Sequence, residues 1–304
     1  MKPTLRQPEH TPPGEANLSL QPQQLWPADV PRLHLDSHPR LSADEAVRLL
    51  ALRPGVSFWI PGTGEFIIVT PWRHRSELVT VHTFGAFANE DALVNAAMAH
   101  ARDQKSAGFV VVDINETRRP SFYGHHGLRR IEDIVTYEHR RPSRLASLKA
   151  DAGLEFRRVN LEDTGLLHDV LELDHAAFPW FWWNSIEEFR AYLDHPGVEV
   201  WAGLWNNDVV AYIGSTHYLR WGHLDRIATR PDLQGTGIGR AALSFAAKLM
   251  RERGCRRLAL STQGNNHRSR SLYQRSGFVR TPNDDYGIFV APYDVSLIFS
   301  GMTR

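Results

Sequence analysis

The 304-residue sequence predicts an α/β protein with a mixed, mostly antiparallel sheet flanked by helices. Three observations carry that expectation. Short apolar strand patterns alternate with helical ones along the chain. Val198–Trp205 and Val209–Leu219 are strand-like runs separated by Asn-Asn-Asp, which reads as a hairpin. Further on, a glycine-rich loop joins a strand directly to a long helix.

Taken in order, the first 40 residues hold eight prolines and few regular apolar repeats. They read as an irregular arm, either wrapped on a domain or disordered. Ser42 followed by Glu45 is a capping-box pattern for a helix from Leu41 to about Arg53, where Pro54-Gly55 stops it. Strands are expected at Phe58–Ile60, Glu65–Pro71 and Leu78–Phe84, then a helix over Asn89–Lys105 with Asn89 as its N-cap. Phe109–Ile114 and Ile131–Glu138 are apolar strands. The basic, polar stretch His139–Gly153 reads as an interdomain linker or as an ordered surface crossing.

A second unit opens with a strand at Leu154–Val159 and a helix over Thr164–Ala177. Ser185 and Glu188 form another capping box, for a helix ending before His195-Pro-Gly197. After the hairpin come a strand at His223–Thr229, a helix Ile238–Arg253 closed by Gly254, and a strand Arg257–Thr262. A helix His267–Ser276 ends at Gly277, and strands are expected near Phe278–Thr281 and Val295–Phe299.

Bulk properties narrow the function. The length suggests two domains. A formal net charge of +1 gives no electrostatic case for nucleic acid or an anionic membrane as main partner. No apolar run is long enough to span a bilayer, and the N-terminus lacks the apolar core of a secretory signal. The single cysteine, Cys255, cannot form an intramolecular disulfide, so a reducing, cytoplasmic setting is expected. Its basic neighbours Arg256 and Arg257 could lower its pKa. The histidines form no His-Glu-x-x-His motif and no paired-cysteine site, so no metal is expected, and His125-His126 reads as a surface pair.

The chemistry concentrates in IATRPDLQGTGIGR, Ile227 to Arg240. Gly235, Gly237 and Gly239 keep side chains out of the way, so successive N–H groups and the positive end of the following helix can face one anion. The spacing is neither the Rossmann Gly-x-Gly-x-x-Gly nor a Walker loop ending in Gly-Lys-Ser/Thr. One helix and one strand later stands Asn266-His-Arg-Ser-Arg-Ser-Leu-Tyr-Gln-Arg-Ser-Gly-Phe278.

Together these stretches resemble the two acyl-CoA-binding motifs of the GNAT superfamily of acetyltransferases, with Ser269 where alanine is commoner, over about Leu154 to Arg304. The resemblance implies acetyl-CoA as cosubstrate, held between the strand ending at Thr229 and the strand Arg257–Thr262. Backbone groups of Ile227, Ala228 and Thr229 would meet the pantetheine and acetyl carbonyl. The loop Gln234, Gly235, Thr236, Gly237, Ile238, Gly239 and Arg240 would hold the pyrophosphate. Asn266, with Ser269 on the same helix, would meet the pantetheine arm, and Tyr273 would act as general acid at the sulfur. His223 and Asp225, two apart on one strand, stand where other members carry the base. Asp174 is a second candidate for binding a cationic amine.

Phe122-Tyr-Gly-His-His-Gly-Leu128 echoes Leu272-Tyr-Gln-Arg-Ser-Gly-Phe278. The first half, 41–140, is therefore expected to be a degenerate GNAT-like copy that lost its phosphate cradle, making the fold tandem, with 154–304 the catalytic domain. The aromatic run AFPWFWWN at 177–184 is expected to wall the acceptor cleft through Phe181, Trp182 and Trp183. The expected function is N-acyl transfer, acetyl first, to a small primary amine by direct attack. The alternatives are a protein N-terminus or lysine as acceptor, or a non-catalytic acyl-CoA-binding module.

Overall fold

The computed structural model describes residues 20–35, 41–114, 120–146 and 153–302. Part of the arm is wrapped on the first half. Strand β1 (Gln23–Gln24) and the 3-10 turn Pro27–Arg32 bury Leu25, Val30 and Leu33 against helix α1 (Ala43–Leu52). The remainder of the expected arm, 1–19 and 36–40, lies outside the described residues. Ser42 caps α1, its Oγ accepting from the Glu45 N–H at 3.1 Å.

The first half continues through β2 (Phe58–Trp59), β3 (Phe66–Pro71), β4 (Leu78–Gly85), α2 (Glu90–Asp103), β5 (Gly108–Ile114), α3 (Pro120–His125) and β6 (Arg129–His139). Helix α4 (Pro142–Ala146) occupies the expected linker and docks on the second half. Leu145 is buried there, and its carbonyl accepts from Ser244 Oγ at 3.2 Å. Residues 147–152 of that stretch lie outside the described residues.

The second half runs β7 (Glu155–Arg158), α5 (Thr164–Ala177), α6 (Ile186–Asp194), β8 (Val198–Trp205), β9 (Asp208–Tyr218), β10 (Trp221–Thr229), α7 (Ile238–Glu252), β11 (Arg257–Gln263), α8 (His267–Arg275), β12 (Val279–Arg280), β13 (Tyr286–Pro292) and α9 (Val295–Ile298). Helices cover both faces, as the strand period requires. Ala211 and Ile213 of β9 pack under α7, while Tyr212 between them packs under α5. No helix among the described residues is long and apolar enough to cross a membrane.

The 13 strands among the described residues join one sheet, in the order β1-β2-β3-β4-β5-β13-β6-β11-β10-β9-β8-β7, with β12 beside β6. The halves exchange their last strands. The second half's β13 lies between β5 and β6 of the first, and β6 in turn pairs with β11 of the second. The end of the chain corrects the sequence. Val295–Ile298 is one turn of helix rather than strand, because Asp294 caps it by accepting from the Leu297 N–H at 2.9 Å. The strand is instead Tyr286–Pro292, whose apolar run is bracketed by Gly287 and Pro292.

Where the halves meet, the aromatic run is a plug rather than a wall. Phe181 has no exposed surface and Trp182 is 9 % exposed, both packed with Trp72, Leu78, Val110 and Ile288. The turn Trp180–Trp182 is tied across the junction by Trp72 Nε1 donating to the Phe181 carbonyl at 2.8 Å and Arg75 Nη1 donating to the Trp180 carbonyl at 2.8 Å. Trp183 is half-buried, stacked on His175 with its indole N–H bonded to the Phe178 carbonyl. Beneath Trp182 lies Glu132, pushed by burial from 4.5 up to about 7 against the opposing influence of the Trp182 indole. Because the folded protein holds this proton more tightly than the unfolded chain, stability from Glu132 falls as pH rises through that interval. Glu132→Gln is expected to flatten the decline of Tm between pH 5 and pH 8, read by thermal melts. An unchanged pH profile would remove Glu132 from this role.

Two smaller expectations are also corrected. His126 is no surface residue, being 5 % exposed and bonded to Asn95 Oδ1 and Asp91 Oδ1. Cys255 is buried, and burial pushes its thiol up despite the neighbouring arginines.

Candidate active site

Strands β10 and β11 pair in parallel only at their beginnings, from Trp221–Arg257 to Leu224–Leu260. Beyond that point β10 continues beside β9 to Thr229, and β11 continues beside β6 to Gln263. The sheet therefore opens into a slot whose wall is the unpaired backbone edge of Arg226, Ile227, Ala228 and Thr229. A bulge at Asp225, between Leu224 and Arg226, begins the opening.

The glycine loop lies at the slot's mouth. Gly235 and Gly237 have φ of 88° and 101°, and a Cβ on either would meet nothing within 4 Å. Their glycines answer to backbone conformation, not to crowding. Gly237 is the N-cap of α7. The N–H groups of Gly235, Thr236, Gly237, Ile238 and Gly239 donate to no protein acceptor among the described residues. Thr236 Oγ1 donates to the Leu233 carbonyl at 2.7 Å and Gln234 Nε2 to the Thr229 carbonyl at 3.2 Å, which fixes the loop. Arg240 N–H is instead engaged with the Gly237 carbonyl at 3.0 Å. Arg268 bonds Gln234 Oε1 and brings a guanidinium beside the loop. These features fit a pyrophosphate-bearing molecule such as acetyl-CoA.

Across the slot, Asn266 caps α8, its Oδ1 accepting from the Ser269 N–H at 3.1 Å. One turn on, Tyr273 is 6 % exposed beside Tyr137 and Phe278. Burial pushes its hydroxyl up to about 12, partly offset by a hydrogen bond with Ser269.

On the sheet face opposite α7, His223 Nδ1 and Asp225 Oδ1 are 2.6 Å apart, each side chain just over a quarter exposed. The second Asp225 oxygen accepts from Thr216 Oγ1 at 2.7 Å and from the Tyr192 hydroxyl. Burial and then the Asp225 charge push the Tyr192 hydroxyl far up, so it stays a donor. With Nδ1 engaged by the carboxylate, His223 keeps Nε2 as the ring nitrogen with no hydrogen-bond partner among the described residues.

His223 lines a cleft of about 260 Å³ together with Trp221, Ala259, Ser261, Glu138 and Arg257, among others. Register explains its shape. Thr216, His223, Ala259 and Glu138 are cross-strand partners in one row, so the small Ala259 is the floor between two polar walls. Glu138 comes from β6, which the first half supplies, and sits 3.5 Å from Arg140 and 4.0 Å from Arg257. Trp221 stacks on Tyr218 at the rim.

Asp174, expected to receive an amine, is instead fully buried and saturated. It accepts from the Asn184 N–H at 2.9 Å, Asn184 Nδ2 at 3.1 Å, Arg226 Nε at 2.7 Å and the Tyr212 hydroxyl. Arg226 also donates to the Trp182 carbonyl at 2.6 Å and lies over the Phe178 ring. This network clamps the aromatic turn to β10, and with no exposed surface the carboxylate faces no ligand. Tyr192, Thr216, Glu138 and Trp221 were not foreseen. They reach the site through tertiary register, for which adjacent sequence holds no signal.

A sheet opened between two parallel strands, with free helix N-terminal amides at its mouth, frames the site. Residues 167–278, within the second half, match the family described as Acetyltransferase (GNAT) family. Over 68 residues the chain is 38% identical to mycothiol acetyltransferase of Beutenbergia cavernae, a match spanning 22% of this chain and 23% of that protein. Over 136 residues it is 27% identical to aminoalkylphosphonate N-acetyltransferase of Salmonella typhimurium, covering 41% of this chain and 84% of that one. The whole fold is similar to a tandem GNAT protein from the clavulanic acid biosynthesis pathway, at TM-score 0.56 and 14% identity, over 90% of this chain and 98% of that chain.

Proposed function

We propose that the chain transfers an acetyl group from acetyl-CoA to the primary amine of a small molecule. The observation that carries this is the His223–Asp225 pair on the edge of a cleft that adjoins the opened slot. When bound, acetyl-CoA supplies a thioester carbonyl open to an amine. His223 Nε2 takes the proton that the ammonium form must lose, and Asp225 holds the resulting imidazolium. Amide groups along Ile227–Thr229 polarise the carbonyl as the new N–C bond forms and the C–S bond breaks. Tyr273 keeps its proton at about 12, against ~8.5 for a free thiol, so it hydrogen-bonds the departing thiolate, which leaves as the free thiol by taking the second proton that the nitrogen sheds on becoming an amide.

The cleft, at about 260 Å³, lies below the roughly 300–1,000 Å³ typical of drug-sized pockets, which favours a small amine over a folded protein's lysine. The acceptor's class enters from the names of the relatives, both of which are acetyltransferases. In this scheme 154–304 is the catalytic unit and 41–140 its companion, and the buried Cys255 thiol suits a reducing cytoplasm. The test is thiol release from acetyl-CoA across a panel of small amines. Tyr273→Phe is expected to lower kcat about 10- to 100-fold, the worth of one hydrogen bond to a charged group. Tight CoA binding without turnover on any amine, and no effect of that substitution, would instead identify a sensor.

A further inference from the structure

We propose that the first half carries a closed copy of the anion cradle, liganded by its own Glu65, so that the chain binds one acyl-CoA, in the second half alone. The statement about the second half rests on the assignment of Gly235–Gly239 made above. The statement about Glu65 stands on separate observations.

The two halves repeat the same opened sheet. Strand β4 pairs in parallel with β5 only from Leu78–Gly108 to Thr80–Val110, as β10 does with β11. Each inner strand then carries a bulge. Val81 and Thr83 pair with Val69 and Ile68 and pass over His82, while Leu224 and Arg226 pair with Ser215 and Gly214 and pass over Asp225. The bulges align the halves residue by residue.

At the mouth of the first slot a set of helix N-terminal amides is present despite the missing glycines, and it is occupied. Phe87, Ala88 and Asn89 N–H groups, at the N-terminus of α2, converge on Glu65 Oε1 at 2.7, 2.7 and 3.0 Å. The other carboxylate oxygen accepts from Asn89 Nδ2 and from Thr63 Oγ1 at 2.8 Å. Asn89 thus spends its side chain on Glu65 and makes no cap bond to its own helix. Glu65 has no exposed surface. Burial alone would raise its carboxyl, and the hydrogen bonds from Ala88, Asn89 and Phe87 outweigh it, leaving the group at about 2. A full negative charge is therefore held where a helix N-terminus receives an anion.

The second half shows the open alternative. Glu65 stands three residues before Ile68, the partner of Thr83, and Ala211 stands three before Gly214, the partner of Arg226. Where the first half has a carboxylate, the second has a methyl group, and its cradle amides are free. The first half also differs beside its opened strand. A Cβ on Gly85 would lie 2.2 Å from the ring of its cross-strand partner Phe66, which is wholly buried against α1. Tyr123, the counterpart of Tyr273, stacks on Phe289 at 3.6 Å and donates to Asp113.

Two measurements on the full chain test this. Calorimetric titration with CoA is expected to give one site per chain, and two sites would overturn the proposal. Absence of any CoA binding would refute the second-half assignment instead, and the other measurement then decides the Glu65 statement. In that measurement Glu65→Ala is melted in sodium formate and in sodium chloride of equal ionic strength. The variant is expected to melt roughly 5–10 °C below wild type, with formate recovering part of the loss and leaving wild type unmoved. An unchanged Tm, or formate raising both proteins equally, overturns it. If Glu65→Ala does not fold, Glu65→Gln keeps the side-chain volume and turns donors toward the donors of Asn89 and Thr63. A lowered Tm for that variant supports the proposal, and a wild-type Tm overturns it.

Discussion

Replacing His223 by alanine lowers kcat for amine acetylation by about 10²- to 10⁴-fold, the usual worth of a positioned acid–base group, while CoA affinity stays at the wild-type value. The split follows from the proposed scheme, in which His223 lines the cleft assigned to the acceptor and the cofactor is assigned to the loop and slot edge. The pH profile is the sharper readout. Without the imidazole, the rate should climb with pH as the acceptor's own amine loses its proton, moving the acid limb toward the amine's pKa. Asp225→Asn should act in the same direction but less strongly, because the neutral amide still bonds Nδ1 yet no longer balances an imidazolium. A His223→Ala enzyme with wild-type kcat and pH profile would dismiss the pair as a surface contact.

Phe181→Ala destabilises the fold by about 3–5 kcal/mol, the range for removing a fully buried phenyl ring. The ring has no exposed surface, lies 5.1 Å from the Trp72 ring across the junction, and is held by the Trp72 hydrogen bond to its own carbonyl. Trp183→Ala, in a half-buried stack on His175, should cost far less. Urea unfolding of both variants, with CoA titrations under native conditions, separates the possibilities. A Phe181→Ala protein of near wild-type stability but weak acceptor binding would return the residue to the cleft wall.

These two sites mark how far the sequence could be read. The strand–glycine loop–helix unit is local, so its position was legible from adjacent residues, and Gly235 and Gly237 indeed hold positive φ. His223 and Asp225 were legible because two positions along a strand share a face, although the bulge at Asp225 adjusts that face. AFPWFWWN was misjudged because five rings identify something apolar without saying what covers it. The cover is Trp72, Arg75 and Ile288, distant in sequence. Asp174 failed for the same reason, its partners being Arg226, Tyr212 and Asn184. Glu138 could not be assigned at all, since it enters the cleft on a strand lent by the other half.

That loan sets the timetable of synthesis. When β5 leaves the ribosome, the strand that will cover its open edge, Tyr286–Pro292, is still about 170 residues from being made. The first half must persist as an unfinished sheet with an exposed edge while the second half grows, the kind of intermediate that invites aggregation. Neither half can be expressed alone as a finished domain, and final closure is a late, long-range event that slows folding. Nascent chains halted before residue 286 should accordingly depend on holding factors that the released protein does without.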